Sequence, residues 1–200
     1  NDPRFSPAGV LAPKSRADLA FVMHMLSWLA VDGTAAIVEF PGVLSRGGTE
    51  AKIRQYLVEN NYVDAVIQLP PDLFFGTQIA TCIIVLKKSK QDNSVLFVDA
   101  SKQFVREGNK NKLSAENQEM ILETLSKRAD VDHVAALVSA EAIRENGFNL
   151  SVSSYVEAED TREKVDIMEL NARIKEIVER QPVLPASIDE IVADLEGGAR

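Results

Sequence analysis

An aromatic pair on a glycine turn stands directly ahead of an apolar, β-branched run: Leu73-Phe74-Phe75-Gly76-Thr77 leads into Thr81-Cys82-Ile83-Ile84-Val85-Leu86. This order puts a flat ring at the mouth of a buried strand, where it offers a stacking face to a planar ligand; base–aromatic stacking is worth about 1–3 kcal/mol. Phe75 is a candidate for that face. The plainer reading makes both phenylalanines core. A second candidate is Arg46-Gly47-Gly48, a cation and two flexible residues at the start of a helix, where free N–H groups and the helix dipole attract phosphate. Its alternative is a simple helix entry with a solvated arginine. Lys102, Arg106, Lys110 and Lys112 form a weaker basic group that reads equally as a solvated loop. Metal chemistry lacks a ligand set: His24 and His133 lie far apart and Cys82 stands alone, whereas structural zinc takes four nitrogen or sulfur ligands at short spacings. His24 is expected simply to lie on a helix face.

The elements that must position these residues follow from periodicity and turn chemistry. Ser15-Arg16-Ala17-Asp18 fits a capping box, and Val22, Met25, Leu26 and Leu29 recur at helical spacing before Asp32-Gly33. Residues 34–40 form an apolar run ending at Pro41-Gly42, which predicts a buried strand; 49–60 predict a helix burying Ile53, Tyr56 and Leu57, and 63–69 the next strand. Strand, helix, strand at this spacing is a βαβ unit with parallel strands. Between 69 and 79 there is no room for another crossover helix and Pro70-Pro71 blocks regular pairing, so the strand predicted over 79–88 should return antiparallel. A short strand at 95–98, a polar loop over 102–112, a helix over 114–128 and a shorter helix over 140–145, closed by Asn146-Gly147, complete the pattern. The candidate phenylalanine and glycine loops then share the carboxyl rim of an open α/β sheet, where such sheets bind ligands.

Composition narrows the class. With 46% apolar residues, 200 residues suffice for one sizeable core with an appended small unit. The apolar runs are all too short for a membrane helix, and a lone cysteine in a strand excludes a disulfide framework, which together suit the cytoplasm. The formal charge of −8 is uneven: +1 over residues 1–90, −3 over 91–156 and −6 over 157–200. Strong duplex binding demands neutralised phosphates, so any nucleic-acid contact should be local or assisted by partners. In the acidic tail, Ile167, Leu170, Ile174 and Ile177 recur at a/d spacing; Ile188, Ile191, Val192 and Leu195 form a second stripe beyond Pro182–Pro185. Neither stripe has a built-in partner, so both read as protein-contact surfaces. Asn1-Asp2-Pro3 reads as a turn already in progress, and the chain is expected to be a piece of a longer polypeptide.

The Pro41-Gly42-Val43-Leu44-Ser45-Arg46-Gly47-Gly48 segment together with Leu73–Lys88 resembles the methylase subunit of type I restriction-modification systems, over residues 1–156 with a looser match in the tail. The resemblance implies the C-terminal half of a Rossmann-like methyltransferase sheet, parallel strands plus an antiparallel one, with a helical C-terminal extension. It divides the chain into 1–104 (catalytic-domain half), 105–156 (helical extension) and 157–200 (association tail). It implies methyl transfer from S-adenosylmethionine to adenine N6 in DNA by the complete protein, with specificity and restriction subunits as partners. Phe75 would stack on the extruded adenine, and Arg46, Gly47, Gly48, Lys110 and Lys112 would be candidates for DNA contact. The family's Asn-Pro-Pro-aromatic tetrapeptide and its glycine-rich donor loop with following acidic residue are missing, and Asn1-Asp2-Pro3-Arg4-Phe5 is no substitute. Neither catalysis nor donor binding is therefore expected of this stretch by itself.

Two rivals stay open on the residues alone. One is a non-catalytic interaction module built on a truncated α/β domain that presents the tail helices; the other is a different nucleotide-binding α/β enzyme sharing only the βαβ unit.

Overall fold

In a computed structural model that describes residues 2–159 and 167–180, strand β4 (Ser94–Asp99) sends Val95 and Phe97 into one cluster and Leu96 and Val98 into another. All four are at most 2% exposed, so β4 lies deep in a sheet covered on both faces. The sheet has five strands in the order β1 (Thr34–Glu39), β3 (Cys82–Lys87), β2 (Val63–Gln68), β4, β7 (Ala135–Ser139). Pairing is antiparallel between β1 and β3, β2 and β3, and β4 and β7, and parallel between β2 and β4. Hence β1, β2 and β4 run one way while β3 and β7 return. A register shift between Val63 and Ala65 explains why Val63 and Val66 share a face although three positions apart.

One face is covered by α1 (Asp18–Trp28), α2 (Thr49–Glu59) and α4 (Ala140–Glu145), whose Leu19, Val22, Leu26, Ile53, Leu57 and Ile143 meet β3 and β4. The other is covered by α3 (Ala115–Lys127), through Ile121. Helix α3 is well specified locally: the Ser114 hydroxyl accepts from the Asn117 backbone, and the Asn117 side chain accepts from the Ser114 N–H. Leu57, Ile53 and Leu26 are buried as their spacing predicts, and Gly147 takes the left-handed conformation after α4 at φ 64°.

Several expectations need correction. Ser15 caps nothing: α1 begins at Asp18 with Ala17 at its N-cap, because residues 13–16 close a separate turn through Arg16 N–H to Pro13 O. Strand β1 is an edge strand rather than a buried one, with Val38 48% exposed. Strands β1 and β2 are parallel but not neighbours, since β3 inserts between them. β3 starts at Cys82, not 79, because Thr77 Oγ1 accepts the Ile79 N–H and holds those residues in a turn. The loop expected over 102–112 contains a hairpin, β5 (Val105–Glu107) with β6 (Lys110–Lys112), turned at Gly108. The stretch 105–156, expected as a helical extension, contains strands as well as the helices α3 and α4. It supplies β7 to the main sheet, and Phe97 stacks on Tyr155 at 4.3 Å between ring centroids.

The chain divides into two units, residues 1–159 and 160–200. In the second, α5 (Ile167–Arg180) carries the expected stripe, with Leu170, Ile174 and Ile177 between 47% and 65% exposed. The Pro182–Pro185 break and the Ile188–Leu195 stripe lie outside the described residues.

Candidate functional site

The segment between β2 and β3 is held at both ends. At its base the Leu69 N–H and the Gln68 side-chain amide both donate to Thr81 O, at 2.9 and 3.0 Å. Further out, the β5–β6 hairpin braces it: the Asn111 N–H donates to Asp72 O at 3.0 Å, the buried Asn111 side chain to Pro71 O at 2.8 Å, and Lys110 Nζ to Thr77 O at 3.1 Å. Asp72, in the left-handed region at φ 59°, faces Arg106 at 3.5 Å and Lys110 at 3.9 Å. On this braced loop Leu73 packs inward against the α3-side cluster, and Phe75 stands fully exposed next to Gly76 at φ 78°.

Beside the loop, at the end of β1, lies a cavity of about 490 Å³. Phe74, not Phe75, lines it, together with Phe21, His24 and Met25 of α1 and Val38, Glu39 and Phe40. Asp18 and Thr77 add polar groups to its lining, and both have partners, in Arg46 and the Ile79 N–H. His24 Nδ1 and Thr81 Oγ1 are buried without a hydrogen-bond partner, and no hydrogen bond or ion pair among the described residues engages the Glu39 carboxyl, although Glu39 is only 8% exposed. Burial, seconded by the charge of Asp18, pushes the Glu39 carboxyl up to about 7. Cys82 is no nucleophile: its buried thiol, pushed up to about 12 mainly by desolvation, donates to Glu39 O.

The glycine loop has a different character from the sequence expectation. Pro41–Leu44 forms a 3₁₀ turn, and Gly48, at φ 72°, is the N-cap of α2 with no side-chain cap, so the α2 N–H groups are open. Nothing lies within 4 Å of where a side chain at Gly47 or Gly48 would start. Arg46, however, folds back over Gly42 toward Glu50 at 3.5 Å and Asp18 at 3.9 Å. The basic side chains of the hairpin region are likewise paired: Lys102 with Glu159, Arg106 and Lys110 with Asp72, Lys112 with Glu107 at 2.9 Å. Lys110 and Arg106 meet the loop that carries Phe75 at Asp72 and Thr77, whereas Arg46-Gly47-Gly48 belongs to the turn before α2. Sequence reading missed Glu39, Thr81 and Asn111. Glu39 left one signal, a carboxylate closing an otherwise apolar run.

Beneath the glycine loop a buried polar network fixes the turn. Arg54, 2% exposed, donates to Val43 O and Phe148 O, both at 2.9 Å, and Leu150 N–H donates to Leu44 O. Glu50, 1% exposed, is ringed by Arg46 at 3.5 Å and Arg16 at 3.8 Å. Desolvation pulls the Arg54 guanidinium below its ordinary value, and Glu50 opposes that shift.

Residues 1–164 match the family described as N-6 DNA Methylase. Over 98% of its length the chain is 47% identical to the type I restriction enzyme MpnII methylase subunit of Mycoplasma pneumoniae, and over 94% it is 32% identical to the MjaVII methylase subunit of Methanocaldococcus jannaschii. A solved type I restriction-modification methyltransferase subunit from Streptococcus thermophilus superposes with a TM-score of 0.76 and 46% identity, covering 78% of this chain and 34% of that one. The chain spans 36% and 33% of the length of the two curated relatives, about a third in each case.

Proposed function

Because the chain belongs to the N-6 DNA methylase family, we propose that it is part of the modification subunit of a type I restriction-modification enzyme, a cytoplasmic complex that transfers a methyl group from S-adenosylmethionine to adenine N6 in DNA. The observation that carries this reading is Phe75: a fully exposed ring on a loop anchored at both ends, beside an apolar cavity at the sheet rim. An exocyclic amine inside a duplex is out of reach of a methyl donor, so the base must leave the stack, and it then needs an aromatic face. Phe75 supplies that face. The open N–H groups at Gly47 and Gly48 suit a backbone phosphate, while Arg46, Lys110 and Lys112 reach DNA by exchanging their carboxylate partners.

The residues present do not fit the donor. The cavity walls are mainly apolar and its charged lining residues, Asp18 and Glu39, are acidic, which suits neither the carboxylate of the donor nor its binding by a glycine loop, and the paired glycines open a helix after a 3₁₀ turn instead of following a strand. Donor binding and the reacting carbonyls are assigned to the part of the relatives that this chain does not match. The complete subunit, assembled on target duplex with labelled donor, is expected to yield N6-methyladenine; the 200-residue chain alone is expected to show no donor binding in calorimetry up to millimolar concentration. Absence of N6-methyladenine from the complete enzyme, or micromolar donor binding by the chain alone, contradicts the assignment.

The tail is proposed to hold a protein partner, the specificity subunit. At net −6 residues 157–200 disfavour DNA, and a 14-residue helix draws most of its stability from packing. Burying Ile167, Leu170, Ile174 and Ile177 contributes about 1.5–3 kcal/mol each before ordering costs. Deleting residues 165–200 from the complete subunit is expected to weaken co-elution with the specificity subunit while leaving donor affinity unchanged. Undiminished co-elution in size-exclusion chromatography counts against it.

A further inference from the structure

The cavity beside β1 combines apolar walls with two buried atoms that the described residues leave without a hydrogen-bond partner, Thr81 Oγ1 and His24 Nδ1, and with Glu39, 8% exposed, in its lining. Buried polar atoms are almost always hydrogen-bonded, so two unpartnered atoms beside a carboxyl on one cavity point to a ligand that supplies the missing partners. Its shape is set by Phe21, Phe40 and Phe74, which favour a flat, uncharged body. Anions are disfavoured by Asp18. Phe74 and Thr77, on either side of Phe75 in the chain, both line the cavity, so the exposed Phe75 belongs to the segment that borders it.

We propose that Glu39 is a positioning and specificity residue for the target base: its neutral carboxyl enters a coplanar pair with the base edge, O–H donating to adenine N1 and C=O accepting from N6–H, with Thr81 as an auxiliary hydroxyl. This rests on the methylase reading above. Adenine presents an acceptor and a donor side by side on that edge, and a protonated carboxyl presents the complementary two. Guanine and thymine present N–H where adenine presents N1, so the acid would meet a donor with a donor. The elevated titration of Glu39, caused first by desolvation and then by Asp18, keeps a substantial protonated fraction at neutral pH, and a base entering the cavity dries it further. The other titratable groups facing Glu39 are Asp18, itself paired with Arg46, and His24 on α1, and on β3 Cys82, whose thiol donates to the Glu39 backbone.

The test uses the complete subunit in its assembled enzyme, with single-turnover methylation measured from pH 6 to 9. The wild-type rate is expected to fall about tenfold per pH unit above the Glu39 titration, because the deprotonated carboxylate cannot donate. Glu39→Gln keeps a donor and an acceptor but does not titrate; it is expected to hold near wild-type rate at pH 7 and to lose the alkaline fall. Glu39→Leu is expected to lower the rate at least tenfold at pH 7 with donor affinity unchanged. In binding assays, wild type is expected to favour duplex with adenine over duplex with purine at the target position, and Glu39→Leu to lose that preference. A Glu39→Leu enzyme with wild-type rate, pH profile and base preference overturns the proposal, as does an alkaline fall that persists in Glu39→Gln. Wild-type enzyme that makes no N6-methyladenine defeats the methylase reading and this role with it. Wild-type activity beside an indifferent Glu39→Leu defeats the role alone.

Discussion

Phe75→Ala in the complete subunit is expected to cut methylation, measured as kcat/KM for target duplex, by roughly 5- to 150-fold, the rate equivalent of about 1–3 kcal/mol of lost stacking. The ring is fully exposed on a loop whose backbone is fixed by Asn111, Lys110 and Gln68. Removing it therefore takes away a ligand-facing surface without opening a hole in the core. Donor affinity should stay unchanged, because stacking acts on the base and not on the methyl source. Thermal stability should move little, since no core residue loses a neighbour to solvent. Phe75→Tyr or Phe75→Trp should restore most of the rate. Phe74→Ala is the internal control. Phe74 is 41% exposed and lines the cavity, so its loss should lower stability as well as rate. Equal methylation by wild type and Phe75→Ala would remove Phe75 from the site.

The largest stability effect is expected at Arg54. Arg54→Met is predicted to destabilise the fold by about 3–5 kcal/mol, the cost of breaking a buried charged network by removing one partner. The guanidinium serves two backbone carbonyls from separate parts of the chain, Val43 in the 3₁₀ turn and Phe148 after α4, and it also offsets the charge of Glu50, which is itself 1% exposed. Methionine fills much the same volume but leaves both carbonyls without that donor. Urea unfolding at neutral pH reads the effect, and the double variant Arg54→Met, Glu50→Gln separates its parts. Recovery in the double variant assigns the loss to uncompensated charge, and no recovery assigns it to the orphaned carbonyls. A change below 1 kcal/mol in the single variant would show that the network is incidental to stability.

The parts of the fold legible in the sequence are those set by local signals. Val95-Leu96-Phe97-Val98 is apolar at every position, so a strand buried on both faces is the natural outcome. Pro70-Pro71 and the short spacing to 79 led to an antiparallel return, and β3 does return antiparallel. What escaped depends on partners distant in sequence. β7 reads Ala135-Ala136-Leu137-Val138-Ser139, short and of weak strand propensity, and it becomes a strand by pairing with β4, some forty residues earlier. The hairpin residues Val105–Lys112 are polar and read as a loop, because their role is to hydrogen-bond Pro71 and Asp72 and not to bury apolar area. Glu39 was overlooked for the opposite reason: it lies inside a run that reads as a strand, and only the fold shows that it lines a cavity.

The brace that β5 and β6 place on the Phe75 loop also bears on the thermodynamics of base capture. A loop of some ten residues that closed only around its ligand would lose backbone freedom at that moment, at a cost of about 1–2 kcal/mol for each residue fixed. Here Asn111, Lys110 and Gln68 have already fixed the loop when the chain folds. Little configurational entropy then remains to be lost when a base arrives, and the ring waits in its working orientation. Substitution of Asn111, whose side chain holds Pro71 O, should accordingly act on affinity through the breadth of the loop's ensemble, weakening capture without altering a single contact to the base.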